Sequence, residues 1–149
     1  MQIVRLSKKK KGDVAELAVA AHCLRLGYQV LFPYGEDARY DFVIESKGKF
    51  KRVQVKYVTP KDGALEVSCR SSNNWSTRAY SAEEIDILVA YDSESKLVYF
   101  IDVKVIGKRS LKLRLVASRN NQTKGVHHAE DYGSIPLWGG ACLTCLLSA

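Results

Sequence analysis

The chain has 149 residues, 46% hydrophobic and 26% charged, which fits one soluble globular domain with a sizeable core. Its formal net charge of +7 favours a polyanion or an anionic membrane surface as partner, with nucleic acid leading. The apolar tail "IPLWGGACLTCLLSA" is too short and glycine-broken to span a bilayer, the basic start lacks a signal-peptide core, and the scattered cysteines exclude a secreted disulfide framework.

The segment "KKKKGDVAELAVAAHCLRLG" predicts a basic arm followed by a helix. Asp13 is the expected N-cap and Glu16 the acid of a capping box. Val14, Leu17, Ala18, Ala21 and Leu24 recur at helical spacing and are expected to form the buried face. Gly27 stops the helix, and "YQVLF" reads as a short strand ended by Pro33. Alternation then predicts strands at "YDFVIE", "FKRVQVKY" and "ALEVSC", with turns at "SKGK" and "TPKDG". "SSNNWSTRAYSAEE" reads as a loop or short helix. "IDILVAY" and "LVYFIDV" read as central strands, "SLKLRLV" as one more strand, and "RNNQTKGVHHAEDY" as a final short helix. The expected fold is α/β, a single domain with a central mixed sheet flanked by helices. The domain is expected to span residues 1–132, with 133–149 a tail of unassigned role.

The hairpin carries the main chemical signal. A turn centred on Lys47-Gly48 sets Val43 opposite Arg52 and Asp41 opposite Gln54, with Cβ atoms roughly 5 Å apart. Lys56 shares that face, because side chains two apart on a strand point the same way. An acid, an amide and an ammonium therefore converge, which suits phosphodiester hydrolysis assisted by a hard cation such as Mg²⁺ (or Mn²⁺). Asp41, the Gln54 amide and the Val55 backbone carbonyl are the candidate metal ligands. Lys56 would orient or deprotonate a water, or stabilise charge on phosphorus, and Glu16 could reach the same edge from the helix. A solvated hairpin face would use the same residues, but Val43 on that face argues against it.

Several other groups have two readings. Lys8, Lys9, Lys10 and Lys11 are a solvated arm or a phosphate-binding one. Trp75, Arg78 and Tyr80 are core plus surface or a DNA-facing loop. Arg119, Asn120, Asn121, Gln122 and Lys124 are a polar loop or a set of DNA contacts, the latter favoured. His127 and His128 are adjacent, make poor co-ligands on a helix, and are expected at the surface or on DNA. Cys142 and Cys145 have metal or redox spacing without the partners either needs.

These residues carry a resemblance. "YD", then twelve residues, then "QVK" resembles the PD-(D/E)XK nuclease motif, with Glu16, Asp41, Gln54 and Lys56 at its four catalytic positions. From "KGDVAELAV" through "NQTKGVHHAEDY", most of the chain resembles the PD-(D/E)XK homing endonucleases encoded in group I introns. Tyr40 stands where the motif has proline, and Gln54 replaces an acid, which removes a negative charge from the metal site. The resemblance implies Mg²⁺-dependent, sequence-selective cleavage of both DNA strands by a homodimer or homotetramer, leaving 5′-phosphate and 3′-hydroxyl ends. The composition and the start and tail of the chain lead to the expectation of a soluble cytoplasmic protein with no membrane partner. Alternatives are a restriction enzyme or Holliday-junction resolvase of the same superfamily, or a DNA-binding module that has lost catalysis.

Overall fold

The computed structural model describes residues 4–72, 75–117 and 124–136. Arg119, Asn120, Asn121, Gln122, Cys142 and Cys145 lie outside the described residues.

Helix α1 spans Lys8–Arg25 and is capped by Ser7, whose Oγ accepts the Lys10 amide N–H at 3.3 Å. Asp13 is therefore inside the helix, and the expected capping box with Glu16 does not form. Lys8 to Lys11 are the first helical turn rather than an arm. That turn holds no acid, so four lysines oppose the positive end of the helix dipole. Lys11 lies over the Tyr57 ring at 5.6 Å.

The buried face of α1 is also a correction. Ala15, Val19, Ala20 and Cys23 are buried, whereas Val14, Leu17 and Leu24 are 41%, 62% and 55% exposed. The helix lies across a sheet face already filled by Val53, Val55, Ile87, Val89 and Phe100. Close approach to that surface selects the helix's small side chains, and the larger apolar set turns outward.

The strands are β1 (Gln29–Leu31), β2 (Phe42–Ser46), β3 (Lys49–Val58), β4 (Ala64–Ser68), β5 (Arg70–Ser72), β6 (Thr77–Ala79), β7 (Ile87–Asp92), β8 (Val98–Asp102), β9 (Ser110–Arg114) and β10 (His127–His128). Among the described residues a five-stranded sheet runs β1-β2-β3-β7-β8, mixed because β3 and β7 are parallel and the other neighbours antiparallel. A second sheet, β10-β9-β4, covers the face away from α1, and β5 and β6 form a separate hairpin. The single-domain α/β fold with a central mixed sheet is thus present, with α1 on one face and a smaller sheet on the other.

Two apolar clusters result. One fills the space between α1 and the sheet and includes Phe42, Ile44 and Ile135; the other joins Leu88, Ala90 and Ile101 to Leu65, Val67 and Leu113. β7 is buried at every position, as its apolar run predicts. β8 is the last strand of its sheet instead of a central one, yet Tyr99, Phe100 and Ile101 are buried by the two clusters. Within the expected loop or short helix at 71–84, the described residues form no helix; Ser71, Ser72 and Thr77–Ala79 pair as strands β5 and β6, and the rest is loop and turn. The expected terminal helix is reduced, within the described residues, to β10 and a 3₁₀ turn at Ala129–Tyr132. Beyond it Ile135 is buried, and the Pro136 carbonyl accepts the Lys51 ammonium at 2.8 Å.

The β2–β3 hairpin has the expected register, with Val43 opposite Arg52 and Ser46 opposite Lys49. Lys47 and Gly48 both have positive φ, 51° and 75°, the backbone of a two-residue type I′ turn that matches strand twist. At the other end, Asp86 fixes where β3 meets β7. Its Oδ2 accepts the Arg52 backbone N–H at 2.7 Å and Nε at 3.0 Å, and Oδ1 accepts NH2 at 3.1 Å. Burial pushes the Asp86 carboxyl upward, but its bonds to Arg52 outweigh that and hold it below the ordinary value. Asp86→Ala is expected to cost about 1–2 kcal/mol, since roughly a third of each side chain is exposed to screening solvent. Because the folded-state pKa is depressed, this stabilisation is complete above the ordinary aspartate pKa and disappears as pH falls through the lower folded value. Urea melts at neutral pH and in acid would show a difference from wild type that shrinks in acid.

Candidate active site

The ladder between β2 and β3 begins at Phe42–Val53, so Asp41 stands just before it. Its backbone N–H donates to the Val53 carbonyl at 2.9 Å. Its carboxylate turns to the next free amide of β3: Oδ2 accepts the Val55 N–H at 2.6 Å, filling a position a strand partner would otherwise take. The same Oδ2 accepts Gln54 Nε2 at 2.8 Å. The Gln54 amide donates also to the Val55 carbonyl at 3.3 Å. The expected meeting of Asp41 and Gln54 therefore occurs through side chains at the mouth of the hairpin.

Lys56 lies on the face of β3 away from α1. Its Nζ donates to the Arg70 carbonyl and to the Tyr80 hydroxyl, both at 3.0 Å, and sits 4.9 Å from the Tyr80 ring centroid. Burial lowers its pKa, against the attraction of Asp41 that raises it. Asp41 is raised, chiefly by burial, although the Val55 N–H, the Lys56 charge and the Gln54 amide all pull the other way. Two of the three ammonium donors of Lys56 are thus committed among the described residues, which leaves one for a phosphate oxygen or a water.

Glu16 reaches the same edge from α1. It lines an open pocket of about 250 Å³ together with Asp41, Phe32, Pro33, Glu36 and Tyr40. Burial raises its pKa, and the negative charges of Asp41 and then Asp13 raise it further. The two carboxylates are close enough to repel, and Asp41 lies between the Glu16 side and the Lys56 side of the sheet.

Composition and spacing gave no sign of the residues that hold Lys56. Tyr80 is 7% exposed, and burial pushes its hydroxyl up to about 12. Arg39 stacks on Tyr80 at 5.3 Å, donates to Ser71 Oγ at 2.5 Å and pairs with Glu84 at 3.3 Å. Glu84 also pairs with Arg78. These contacts clamp the β5–β6 hairpin beside Asp41. Their only trace in the sequence is the density of Arg, Tyr and Glu flanking 75–84, since Arg39 lies more than thirty positions from Ser71 and Glu84.

The remaining candidates are spread over the surface. Lys8, Lys9 and Lys10 are exposed and Lys11 half-buried, Trp75 is 93% exposed, and Arg78 and Lys124 are exposed. His127 Nδ1 is 2.6 Å from the Tyr132 hydroxyl, away from the Asp41 cluster. Among the described residues no group of three His, Cys, Asp or Glu side chains is placed to hold a metal, and no helix is long and apolar enough to cross a membrane.

The donor set nevertheless fits a hard divalent cation. The Asp41 carboxylate and the Val55 carbonyl already converge on one positively polarised group, the Gln54 NH₂. Mg²⁺ uses few protein oxygens and keeps its waters, so one carboxylate, one carbonyl, one amide oxygen and a nearby Glu16 suit it.

Comparison with known proteins identifies the family. A solved structure, that of the bacterial homing endonuclease I-Ssp6803I, is similar with a TM-score of 0.67 and 31% identity, over 85% of this chain and 88% of that one. No curated protein matches. The model of the PD-(D/E)XK endonuclease family matches residues 6–135, a span that includes the hairpin, Lys56 and the α1 glutamate, and the chain belongs to that family.

Proposed function

We propose that the protein is a sequence-selective, Mg²⁺-dependent double-strand DNA endonuclease of the intron-homing type. The observation that carries this reading is the convergence of the Asp41 carboxylate and Val55 carbonyl on one point, with Lys56 electrostatically coupled to Asp41. The similarity to a homing endonuclease supports the DNA substrate.

Asp41, Gln54 and Val55 would hold the ion, with Glu16 supplying the second negative charge. When bound, the ion withdraws charge from a phosphate oxygen and makes water a better nucleophile at neutral pH. Asp41 positions the scissile phosphate by holding the ligand group at the strand mouth. Lys56, fixed by Arg70 and Tyr80, orients the attacking water and meets the charge that grows on the phosphate oxygens. The products are a 5′-phosphate and a 3′-hydroxyl. Lys8, Lys9, Lys10, Lys11 and Arg78 would contact phosphates, and Trp75, Arg119, Asn120, Asn121, Gln122 and Lys124 would complete the DNA surface. Among the described residues one chain carries one such centre, so cutting both strands calls for a homodimer or homotetramer.

Incubation with a randomised duplex library in Mg²⁺ is expected to give discrete double-strand cuts, abolished by EDTA and restored by Mg²⁺ or Mn²⁺. Preferential cutting of four-way junctions would point to a resolvase instead. Salt-sensitive binding with no cutting would identify an inactive DNA-binding module and sink the nuclease reading.

A further inference from the structure

Gln54 is the residue at which this chain departs from the acidic pattern of its family, and its side chain occupies the position an ion would need. Nε2 lies 2.8 Å from Asp41 Oδ2 and 3.3 Å from the Val55 carbonyl. Both neighbours are acceptors: an ionised carboxylate and a peptide oxygen have no proton to give. Chemistry therefore fixes which end of the amide faces them, because the reversed orientation would press Oε1 against two oxygens. The NH₂ group is a donor and cannot ligate a cation. For Gln54 to serve as a ligand, its amide must turn by roughly half a revolution about its last side-chain bond, releasing both hydrogen bonds and presenting Oε1.

We propose that Gln54 is a rotating placeholder. Its amide NH₂ stands in for the cation in the ion-free site, neutralising the demand of the Asp41 carboxylate and the Val55 carbonyl, and it turns outward to give its oxygen when the ion enters. This rests on the nuclease reading above. A glutamate at position 54 would lack the placeholder function, since it would oppose the Asp41 carboxylate in a site where burial already disfavours charge. The glutamine keeps the empty site satisfied and makes ion uptake compete with two internal hydrogen bonds. Uptake is then weaker and coupled to a conformational change in the ligand itself.

The full chain, labelled with ¹⁵N in its glutamine side chains, tests this by NMR without DNA. The signal absent from Gln54→Glu identifies Gln54, and the exposed Gln29 is the internal control. In EDTA the Gln54 NH₂ protons are expected to exchange with water at least roughly tenfold more slowly than those of Gln29, as hydrogen-bonded amides do. Saturation with Mg²⁺ should shift the Gln54 signal and bring its exchange to within about threefold of Gln29, the rate of an unbonded amide, while Gln29 stays still. Calorimetry on the same samples should show Gln54→Glu binding Mg²⁺ roughly tenfold more tightly than wild type, following ligand charge. Exchange in EDTA as fast as that of Gln29 overturns the placeholder. So does Mg²⁺ uptake, absent in Asp41→Asn, that leaves the Gln54 signal unmoved. An absence of Mg²⁺ uptake by wild type overturns the nuclease reading itself, a separate result from an ion that binds without moving the amide.

Discussion

Lys56→Met is expected to lower the single-turnover rate of DNA cleavage by roughly 10³-fold, the usual effect of deleting one group that acts only on the developing transition state. The substitution keeps length and volume but removes the ammonium, its bonds to Arg70 and Tyr80, and its attraction to Asp41. Burial already lowers the Lys56 pKa, so the charged form is disfavoured in the folded protein and its loss does little harm to stability. The thermal midpoint should stay within about 3 °C of wild type, and ion-free DNA affinity within about threefold, since one contact among many phosphate contacts is lost. Measuring rate, midpoint and affinity on one preparation separates a chemical role from a structural one. An unchanged rate, or a rate that falls only in step with unfolding, would remove Lys56 from the chemistry.

Asp41→Asn should abolish detectable cleavage, a loss of about 10⁴-fold or more, because it removes the single carboxylate at the point of convergence. The same change is expected to raise the melting temperature of the ion-free protein by on the order of 2 °C at neutral pH. The sign follows from the direction of the shift. Burial raises the Asp41 pKa, so the folded chain holds the proton more tightly than the unfolded one. Charging Asp41 costs nothing below the ordinary aspartate pKa, costs progressively more as pH rises, and costs its full amount above the raised folded value. The advantage of the asparagine variant should therefore be largest at neutral pH and vanish in acid. Removing the Asp41 charge also relieves Glu16, whose pKa it raises, which adds to the effect in the same direction. Scanning calorimetry across pH in EDTA checks this, and a variant less stable than wild type at every pH would contradict it.

The hairpin was readable because its determinants are local. Alternation fixed the faces of β2 and β3, the Lys47-Gly48 turn fixed the register, and the two together placed Gln54 beside Asp41 and Lys56 on the same side. β7 was readable because every one of its side chains is apolar or buried by its neighbours. What failed depended on distant surfaces. Two stripes of α1 have helical spacing, and size complementarity to the sheet chose Ala15, Val19 and Cys23 over Leu17 and Leu24. Two polar residues also compete to cap it. Ser7 takes the role from Asp13 because the helix is long enough to absorb four lysines despite their repulsion. The β5–β6 pairing was missed because Arg39, which bonds both Ser71 and Glu84, lies outside the segment. For the same reason Tyr80 gave no local sign that it supports Lys56.

The bond from the Val55 N–H to Asp41 has a consequence for reading related chains. Asp41 completes the β2–β3 ladder with a side chain, so an apolar residue there would leave the Val55 amide without its acceptor, whatever became of catalysis. Selection for folding alone would therefore retain an acceptor at this position long after a lineage had given up cutting DNA. Gln54 and Lys56 satisfy no backbone N–H among the described residues, and drift there carries no such penalty. On the proposed mechanism, positions 54 and 56 would be the ones whose identity distinguishes a working nuclease from its structural remnant in diverged descendants of this fold.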